Sequence, residues 1–320
     1  MGDEAALAQH DTRKHVQSIV SSASGNLIEW YNFYVYSFAS IYFASQFFPS
    51  DGDVVVQLLK AAGVFFVGFL MRPIGGWLFG FIADRYGRKH SILISIFMMC
   101  GSSFLIALLP TYETIGMAAA IFLLLLQMLQ GLSAGGGYGT IATYMSEVSL
   151  ENHRGFFSSF QATTLISGQL LASLVIFILA FCLTEDQLKA WGWRIPFAIG
   201  GLAAIAAAYL RHSLHETTTK KSRSEVRANS LTELFKNHRR AFFTIIGFTS
   251  AGSLTFYTYT TYMQKYLITT TGFDKHAAIT IMTVALFIFM LLQPLFGKLA
   301  DKIGAKNLLI IWSLLSIIFT

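Results

Sequence analysis

Long apolar runs separated by short polar segments dominate the chain. Eight of these runs are long enough to cross the roughly 30 Å hydrocarbon core of a bilayer as helices. They are predicted at Ser18–Phe47, Val54–Ala83, Ser91–Leu109, Ile115–Met145, Phe156–Leu183, Trp193–Leu210, Ala241–Leu267 and Ala277–Leu299. A ninth run begins near Asn307, and the sequence ends inside it at Thr320. The pattern predicts an all-α membrane protein.

Composition excludes a soluble enzyme. Hydrophobic residues make up 54% of the 320 residues and charged residues only 12%, against about 25% charged residues in a typical soluble domain. The net charge of +6 does not indicate nucleic-acid binding, because seventeen Lys and Arg residues lie at the predicted inner ends and loops and four at the outer ones. By the positive-inside rule, the N-terminus of this multi-pass protein is predicted to be cytoplasmic. No enzyme activity, metal site, cofactor or nucleic-acid partner is expected, and membrane lipid is an expected partner.

One long polar stretch divides the chain. Residues 1–210 are predicted to form an N-terminal six-span bundle, residues 211–240 a cytoplasmic linker, and residues 241–320 the start of a second bundle with spans seven, eight and part of nine. Because the linker is rich in Lys and Arg, a lipid-headgroup patch is the alternative interpretation of that stretch.

A motif repeats at matching places in the two bundles. The segment Gly80–Lys89 follows the second span, and a segment of the same G-x-x-x-D-[RK]-x-G-x-K pattern, Gly297–Lys306, follows the eighth span 217 residues later. Parallel repeats of this kind are typical of transporters whose substrate site lies at mid-membrane between two halves.

The repeated loop and four further segments resemble the major facilitator superfamily, and within it the metabolite:proton symporter branch. These segments are Gly25–Phe33, Met71–Trp77, Gln130–Ser133 and Trp191–Phe197. The resemblance implies a major facilitator fold, here an N-terminal six-helix bundle plus part of the second bundle of a twelve-span protein.

The resemblance also implies a function. It is secondary active symport of a small organic acid, with the dicarboxylate α-ketoglutarate as the expected substrate, together with protons across the bacterial inner membrane. The proton gradient would be the driving force. Two alternatives stay open: a non-transporting truncated fragment, and a transporter of the same family for another carboxylate or an osmolyte.

The loop after the second span is the most specific motif, and the alternative to a functional role is simple anchoring by positive charge. The resemblance implies that it is a cytoplasmic gating latch, held through Asp84. Its residues are Gly80, Asp84, Arg85, Gly87, Arg88 and Lys89. The chain departs from the family at three membrane positions, with Asn32 in place of Asp, Gln127 in place of Arg and Gly137 in place of Glu.

Two ionisable residues are predicted to lie deep in the membrane, where an unpaired charge is costly and functional roles are common. Arg72 is the candidate that binds a substrate carboxylate, since its planar fork matches that group. Glu29 is the candidate for proton coupling. Because the two are expected at matching depth, a purely structural ion pair between them is the alternative. Lys60, nearer the outer end, is expected to extend to the interface.

Uncharged polar residues within the spans could orient a substrate. Tyr138, Gln169 and Tyr257 are the predicted binding residues, although such side chains can equally bridge helices. Glycines 131, 135 and 139 recur at every fourth position, a spacing that predicts close helix packing and not a phosphate loop.

Overall fold

The computed structural model describes residues 2–49, 53–148, 154–211 and 239–319. The helices are α1 (Gly2–Phe47), α2 (Val54–Tyr86), α3 (Arg88–Leu108), α4 (Tyr112–Ile115), α5 (Met117–Val148), α6 (Arg154–Cys182), α7 (Glu185–Gln187), α8 (Arg194–Arg211), α9 (Arg239–Tyr257), α10 (Met263–Thr269), α11 (Lys275–Ile303) and α12 (Ala305–Phe319). Two π-helical turns, Leu188–Gly192 and Thr258–Tyr262, precede α8 and α10. These ranges contain no strand, so the all-α prediction is confirmed.

Helices lie on all nine predicted runs. Five of them are long and apolar enough to cross a membrane, counted over the residues whose side chains the structure describes. They are Val54–Ala83, Lys89–Leu108, Met117–Tyr138, Arg154–Cys182 and Ala277–Ile303. The apolar stretches Arg194–Ala203 and Ala305–Ile318 are shorter. The predicted seventh span is not one continuous helix, because the π-helical turn Thr258–Tyr262 interrupts it.

Most of the predicted linker, residues 212–238, lies outside the described residues. Helices on both sides of the linker contribute side chains to the candidate functional site.

Helices α2 and α5 pack closely along a stripe of glycines. A Cβ atom added at Gly131 would collide with the carbonyl of Gly68, and one added at Gly135 would collide with the carbonyl of Arg72. A Cβ at Gly75 would likewise meet the backbone of Leu132. The close packing predicted from Gly131 and Gly135 is therefore confirmed, and it fixes the position of Arg72 on α2 relative to α5.

Helix α1 is the central element of the first bundle. Its residues from Trp30 to Phe47 are almost all buried among the other helices. At its C-terminal end, Phe43 and Phe47 pack on Trp193, with ring centroids 5.7 and 5.4 Å apart. Because aromatic rings bury large apolar areas, this cluster holds α1 against the start of α8.

The two bundles meet along α6 and α11, which run antiparallel. Gly155 and Gly297 face each other at one end of the contact. Eighteen residues further along α6, and fourteen residues back along α11, the hydroxyls of Ser173 and Thr283 lie 3.1 Å apart. At a rise of about 1.5 Å per residue, the contact extends over about 21 to 27 Å.

The predicted repeat has the same local structure in both bundles. Gly87 follows α2 with a φ of 103°, and Gly304 follows α11 with a φ of 86°. The N–H of each glycine donates to the carbonyl four residues earlier, at 2.9 Å in both cases. Glycine is favoured at these two positions because a positive φ is unfavourable for other residues. The 217-residue repeat is thus a repeat of structure as well as of sequence.

Candidate functional site

Arg72 lies at the centre of an aromatic cage between the two bundles. Its guanidinium carbon is 4.9 Å from the ring centroid of Trp30, 5.5 Å from that of Phe33 and 5.3 Å from that of Phe69. Aromatic faces attract a cation, most strongly where water is excluded. The cage therefore holds a positive charge in place within a largely apolar environment.

The second bundle reaches this cation through Tyr257. Nη1 of Arg72 donates a hydrogen bond to the Tyr257 hydroxyl at 3.1 Å, and the Tyr257 ring packs edge-on against Phe69 at 5.2 Å. Tyr257 is the last residue of α9, immediately before the π-helical turn. Such turns shift the register of side chains and are frequent at functional sites.

Tyr138 lies beside the same cage. Its ring meets the edge of Trp30 at 5.9 Å, and it is 43% exposed, so it borders open space next to Arg72. The ring of Tyr34 stacks on the ring of Trp30, with the two centroids 5.8 Å apart. Of the predicted binding residues, Tyr138 and Tyr257 are therefore brought together around the cation of a third, Arg72.

Gln169 is placed differently. It is fully buried, and its Nε2 donates to the Thr260 carbonyl at 3.0 Å and to the Thr261 hydroxyl at 3.2 Å. Both acceptors belong to the π-helical turn. The structure therefore makes Gln169 a bridge between α6 and the second bundle, which is the alternative that the sequence left open for such residues.

Glu29 is buried in the first bundle, 2% exposed. Oε1 of its carboxylate accepts a hydrogen bond from the Ser95 hydroxyl at 2.8 Å. The carboxylate also fills the space beside Gly137, where an added Cβ would collide with it. The ion pair that was the alternative role for Glu29 and Arg72 is not among the contacts of Arg72 with the described residues. Since consecutive helical residues point about 100° apart, Arg72 packs on Trp30 while Glu29 faces α3 and α5.

Asn32 joins three helices from a fully buried position. Its Nδ2 donates to the carbonyls of Ile28, at 3.0 Å, and Gly200, at 3.3 Å, and lies 3.8 Å from Sγ of Cys100. The amide therefore serves as a donor to α8 and α3, a role that an ionised carboxylate could not fill.

Gln127 is also fully buried, on α5 against Gly68. Neither atom of its amide has a hydrogen-bond partner among the described residues. Asn32 and Gln127 face different helices, so the two neutral replacements act at separate places in the bundle.

The predicted gating residues surround the turn from α2 to α3. Gly87 makes the turn, and the Arg85 guanidinium lies 5.8 Å from the ring of Phe81 and 5.9 Å from that of Tyr86. Gly80 and Lys89 lie on the adjoining helices. The side chains of Asp84 and Arg88 are outside the described residues.

The equivalent aspartate of the second repeat is Asp301, 217 residues after Asp84. Its carboxylate accepts from the backbone N–H of Gly155 at 2.6 Å and of Phe156 at 2.9 Å. The N-terminus of a helix favours an anion because its N–H groups lack partners within the helix. Asp301 thus connects the end of α11 to the start of α6.

Sequence reasoning missed the aromatic cage. Trp30 and Phe33 are three residues apart on α1, and Phe69 is three residues before Arg72 on α2. Each pair shares one helix face, because residues three apart are neighbours on a helix. Two features of the sequence could have found it. The second predicted span has an arginine three residues after an aromatic residue, and the first has two aromatic residues three positions apart.

Comparison with protein families gives one match over most of the chain. Residues 18–229 match the family described as "Sugar (and other) transporter".

Three curated relatives match nearly the whole chain. It is 56% identical over 317 residues to the α-ketoglutarate permease of Escherichia coli, covering 99% of this chain and 73% of that protein. It is 34% identical to a glycine betaine/proline/ectoine/pipecolic acid transporter of Dickeya dadantii, covering 93% of this chain and 62% of that one. It is 33% identical to a proline/betaine transporter of Salmonella typhimurium, covering 98% and 64%. The chain therefore spans slightly less than two thirds of the last two relatives.

Solved structures show the same fold. The proton:xylose symporter XylE, a major facilitator superfamily protein, superposes with a TM-score of 0.71 over 93% of this chain and 71% of that one, at 17% identity. A partially occluded, inward-open form of the E. coli protein gives a TM-score of 0.66, over 92% and 73%, at 18% identity.

Proposed function

The chain belongs to the sugar (and other) transporter family of the major facilitator superfamily, and from this premise we propose that it carries α-ketoglutarate together with protons across the bacterial inner membrane. The N-terminus is cytoplasmic in this proposal, as the distribution of Lys and Arg predicts.

The observation that carries the proposal is the caged guanidinium of Arg72. Among the described contacts it donates one hydrogen bond, to Tyr257, whereas a guanidinium has five N–H donors. A cation held in a membrane bundle is stabilised by an anion that binds it in two-point geometry, and a carboxylate does so. Arg72 therefore binds one carboxylate of the substrate, and Tyr257 holds the fork in position from the second bundle.

The contact between Arg72 and Tyr257 also supports alternating access. Arg72 belongs to the first bundle and Tyr257 to the second, and a site between two halves is opened to one side or the other as the halves rock. A substrate carboxylate at Arg72 would contact both bundles and so favour the state in which they are together.

Glu29 is the proposed proton carrier. It is buried, and the Ser95 hydroxyl donates to it. A carboxyl group inside a membrane bundle is costly when charged, and such groups commonly take part in proton relays. The alternative is that Glu29 only holds α1 to α3. The variant Glu29→Gln separates these roles, since a structural glutamine keeps an acceptor for Ser95 but cannot titrate.

A second substrate class follows from the betaine and proline transporters among the relatives. Aromatic cages bind quaternary ammonium groups by cation–π attraction. Here the cage of Trp30, Phe33 and Phe69 already holds the Arg72 cation, which would repel the ammonium group of a zwitterionic osmolyte. The arrangement therefore favours a substrate that carries a carboxylate but no positively charged group of its own.

Two measurements on the purified chain test the proposal. Binding of labelled α-ketoglutarate in detergent tests recognition, and its uptake into proteoliposomes with an imposed proton gradient tests transport. We expect saturable binding, competition by unlabelled dicarboxylates, and no competition by glycine betaine. Binding without uptake would favour the non-transporting alternative. Binding of labelled glycine betaine but not of α-ketoglutarate would contradict the substrate assignment.

A further inference from the structure

A large groove lies at the predicted outer end of the first bundle, away from Arg72. Its volume is about 560 Å³, and it is bounded by the end of α1, the first turns of α2 and α5, and α4. Of the eleven residues that line it, only Lys60 and Tyr112 have polar side chains. The groove is therefore apolar with one cation and one hydroxyl.

Lys60 differs from two of the other predicted outer cations, Lys189 and Arg194. The ammonium of Lys189 is 3.3 Å from the Glu185 carboxylate, and Arg194 donates to two backbone carbonyls at 2.9 and 2.7 Å. Lys60 forms no hydrogen bond or salt bridge with the described part of the chain. Its charge is therefore available to a ligand in the groove.

The depth of Lys60 matches the headgroup region of a membrane. Helix α2 begins at Val54, capped by the Asp53 side chain, so Lys60 lies six residues along it, about 9 Å below its outer end. Helical side chains lean toward the N-terminus of their helix, which for α2 is the predicted outer surface. The ammonium thus extends up to the level where lipid phosphates lie.

Below Lys60 the groove continues along apolar walls. Val64 and Val67 follow on the same face of α2, and Leu124 faces them from α5. Near the rim, Met117 and Ile121 are exposed large apolar side chains, as expected of a surface that faces acyl chains. An amphipathic ligand with an anionic head and a hydrocarbon tail fits this order of groups.

We propose that this groove binds one anionic phospholipid of the outer leaflet. Its phosphate lies against the ammonium of Lys60 and the hydroxyl of Tyr112, and the upper part of one acyl chain lies between Val64, Val67 and Leu124. The bound lipid fills the space between α2 and α5 near their outer ends. The proposal does not depend on which solute the protein carries.

Native mass spectrometry of the purified chain with phosphatidylglycerol tests the charge. We expect one retained lipid, and a weakening of its binding by about fivefold in Lys60→Gln, the factor expected for one lysine near anionic headgroups. Lys189→Gln is the matched control, because it removes an outer lysine that is paired with Glu185, and it should retain the lipid. Phosphatidylcholine with the same acyl chains should bind more weakly than phosphatidylglycerol.

A second variant tests the walls. Val64→Trp fills the groove while leaving Lys60 in place, so it should also remove the retained lipid, whereas Lys60→Arg should keep it. Circular dichroism of each variant checks that the helices are intact. If Lys60→Gln and Val64→Trp both retain phosphatidylglycerol as well as the unmodified chain does, the proposal is overturned. Displacement of the lipid by millimolar α-ketoglutarate would overturn it as well, because the groove would then be an entry site for solute.

Discussion

The carboxylate of Asp301 caps the helix that begins beside Gly155, accepting its backbone N–H at 2.6 Å. These residues belong to different bundles and are 146 positions apart in the chain. The contact lies at the end of α11 and α6 that is predicted to be cytoplasmic, and it closes the seam between the bundles there. The second copy of the repeated motif thus joins the two bundles through its aspartate, which is the kind of contact that the family resemblance implies for Asp84 in the first copy.

Asp301→Asn should open that seam. The amide keeps one acceptor but directs an NH₂ group at a second helical N–H, and it loses the charge that the helix N-terminus attracts. The cost is about 1–2 kcal/mol, which corresponds to a 5- to 30-fold change in the open population. A cysteine at Ser159, which packs on Gly297, should then react correspondingly faster with a thiol reagent in a cysteine-free background. Lys302→Gln is the control, and equal rates in all backgrounds would contradict the latch.

Gly155→Ala should destabilise the same seam by collision. A Cβ at Gly155 would lie 2.6 Å from Oδ1 of Asp301 and 2.7 Å from the Gly297 carbonyl. Overpacking of this kind costs about 1–3 kcal/mol. Gly247→Ala in α9 is the matched control, because nothing lies within 4 Å of its added methyl group and alanine favours a helix. Thermal unfolding in detergent should show a lower midpoint for Gly155→Ala and an unchanged or higher one for Gly247→Ala.

Arg72→Lys should weaken the binding of α-ketoglutarate sharply. A lysine keeps the charge but loses the planar fork that stacks in the cage and binds a carboxylate at two points. Loss of a hydrogen bond to a charged group costs about 1.5–3 kcal/mol, so the dissociation constant should rise about 10- to 100-fold. Arg194→Lys is the control, since Arg194 also stacks on a tryptophan, Trp193, but is the first residue of α8. If Arg72→Lys binds α-ketoglutarate as tightly as Arg194→Lys does, Arg72 is not part of the binding site.

The sequence predicted the helices and the repeat because both depend on local patterns. Long apolar runs predict spans, and the second glycine of each repeated loop, Gly87 or Gly304, permits the positive φ that the turn requires. The depth of Arg72 followed from counting residues along α2. Its partners did not, because they depend on how α1 and α2 are rotated against each other, which no single helix encodes.

The same limit applies to Gln169 and to position 137. Gln169 was expected beside the substrate, but the π-helical turn presents the Thr260 carbonyl to it, and a π turn has no reliable sequence signal. At position 137, the Glu29 carboxylate occupies the space that a side chain would need, and this contact between two helices has no signal in the sequence. Restoring a glutamate at that position would therefore displace Glu29.

Asn32→Asp should make the stability of the protein depend on pH. The Asn32 amide donates to the carbonyls of Ile28 and Gly200. A protonated carboxyl group retains one O–H donor and can replace one of these hydrogen bonds, at a cost of about 1 kcal/mol. An ionised carboxylate has no donor and would face both carbonyl oxygens from a fully buried position, which costs several kcal/mol more.

The sign of the dependence follows from these two states. At low pH the introduced carboxyl group is protonated, and the variant loses little stability. As the pH rises, the folded state must either hold the proton or accept the buried charge, so the stability of the variant falls. The unfolding midpoint of Asn32→Asp should therefore lie well below that of the unmodified chain at pH 8 and approach it at pH 5. Asn32→Ala removes the donor at every pH, so its deficit should be the same at both. A deficit of Asn32→Asp that does not change between pH 5 and pH 8 would show that its carboxyl group turns away from Gly200 and Ile28 toward water.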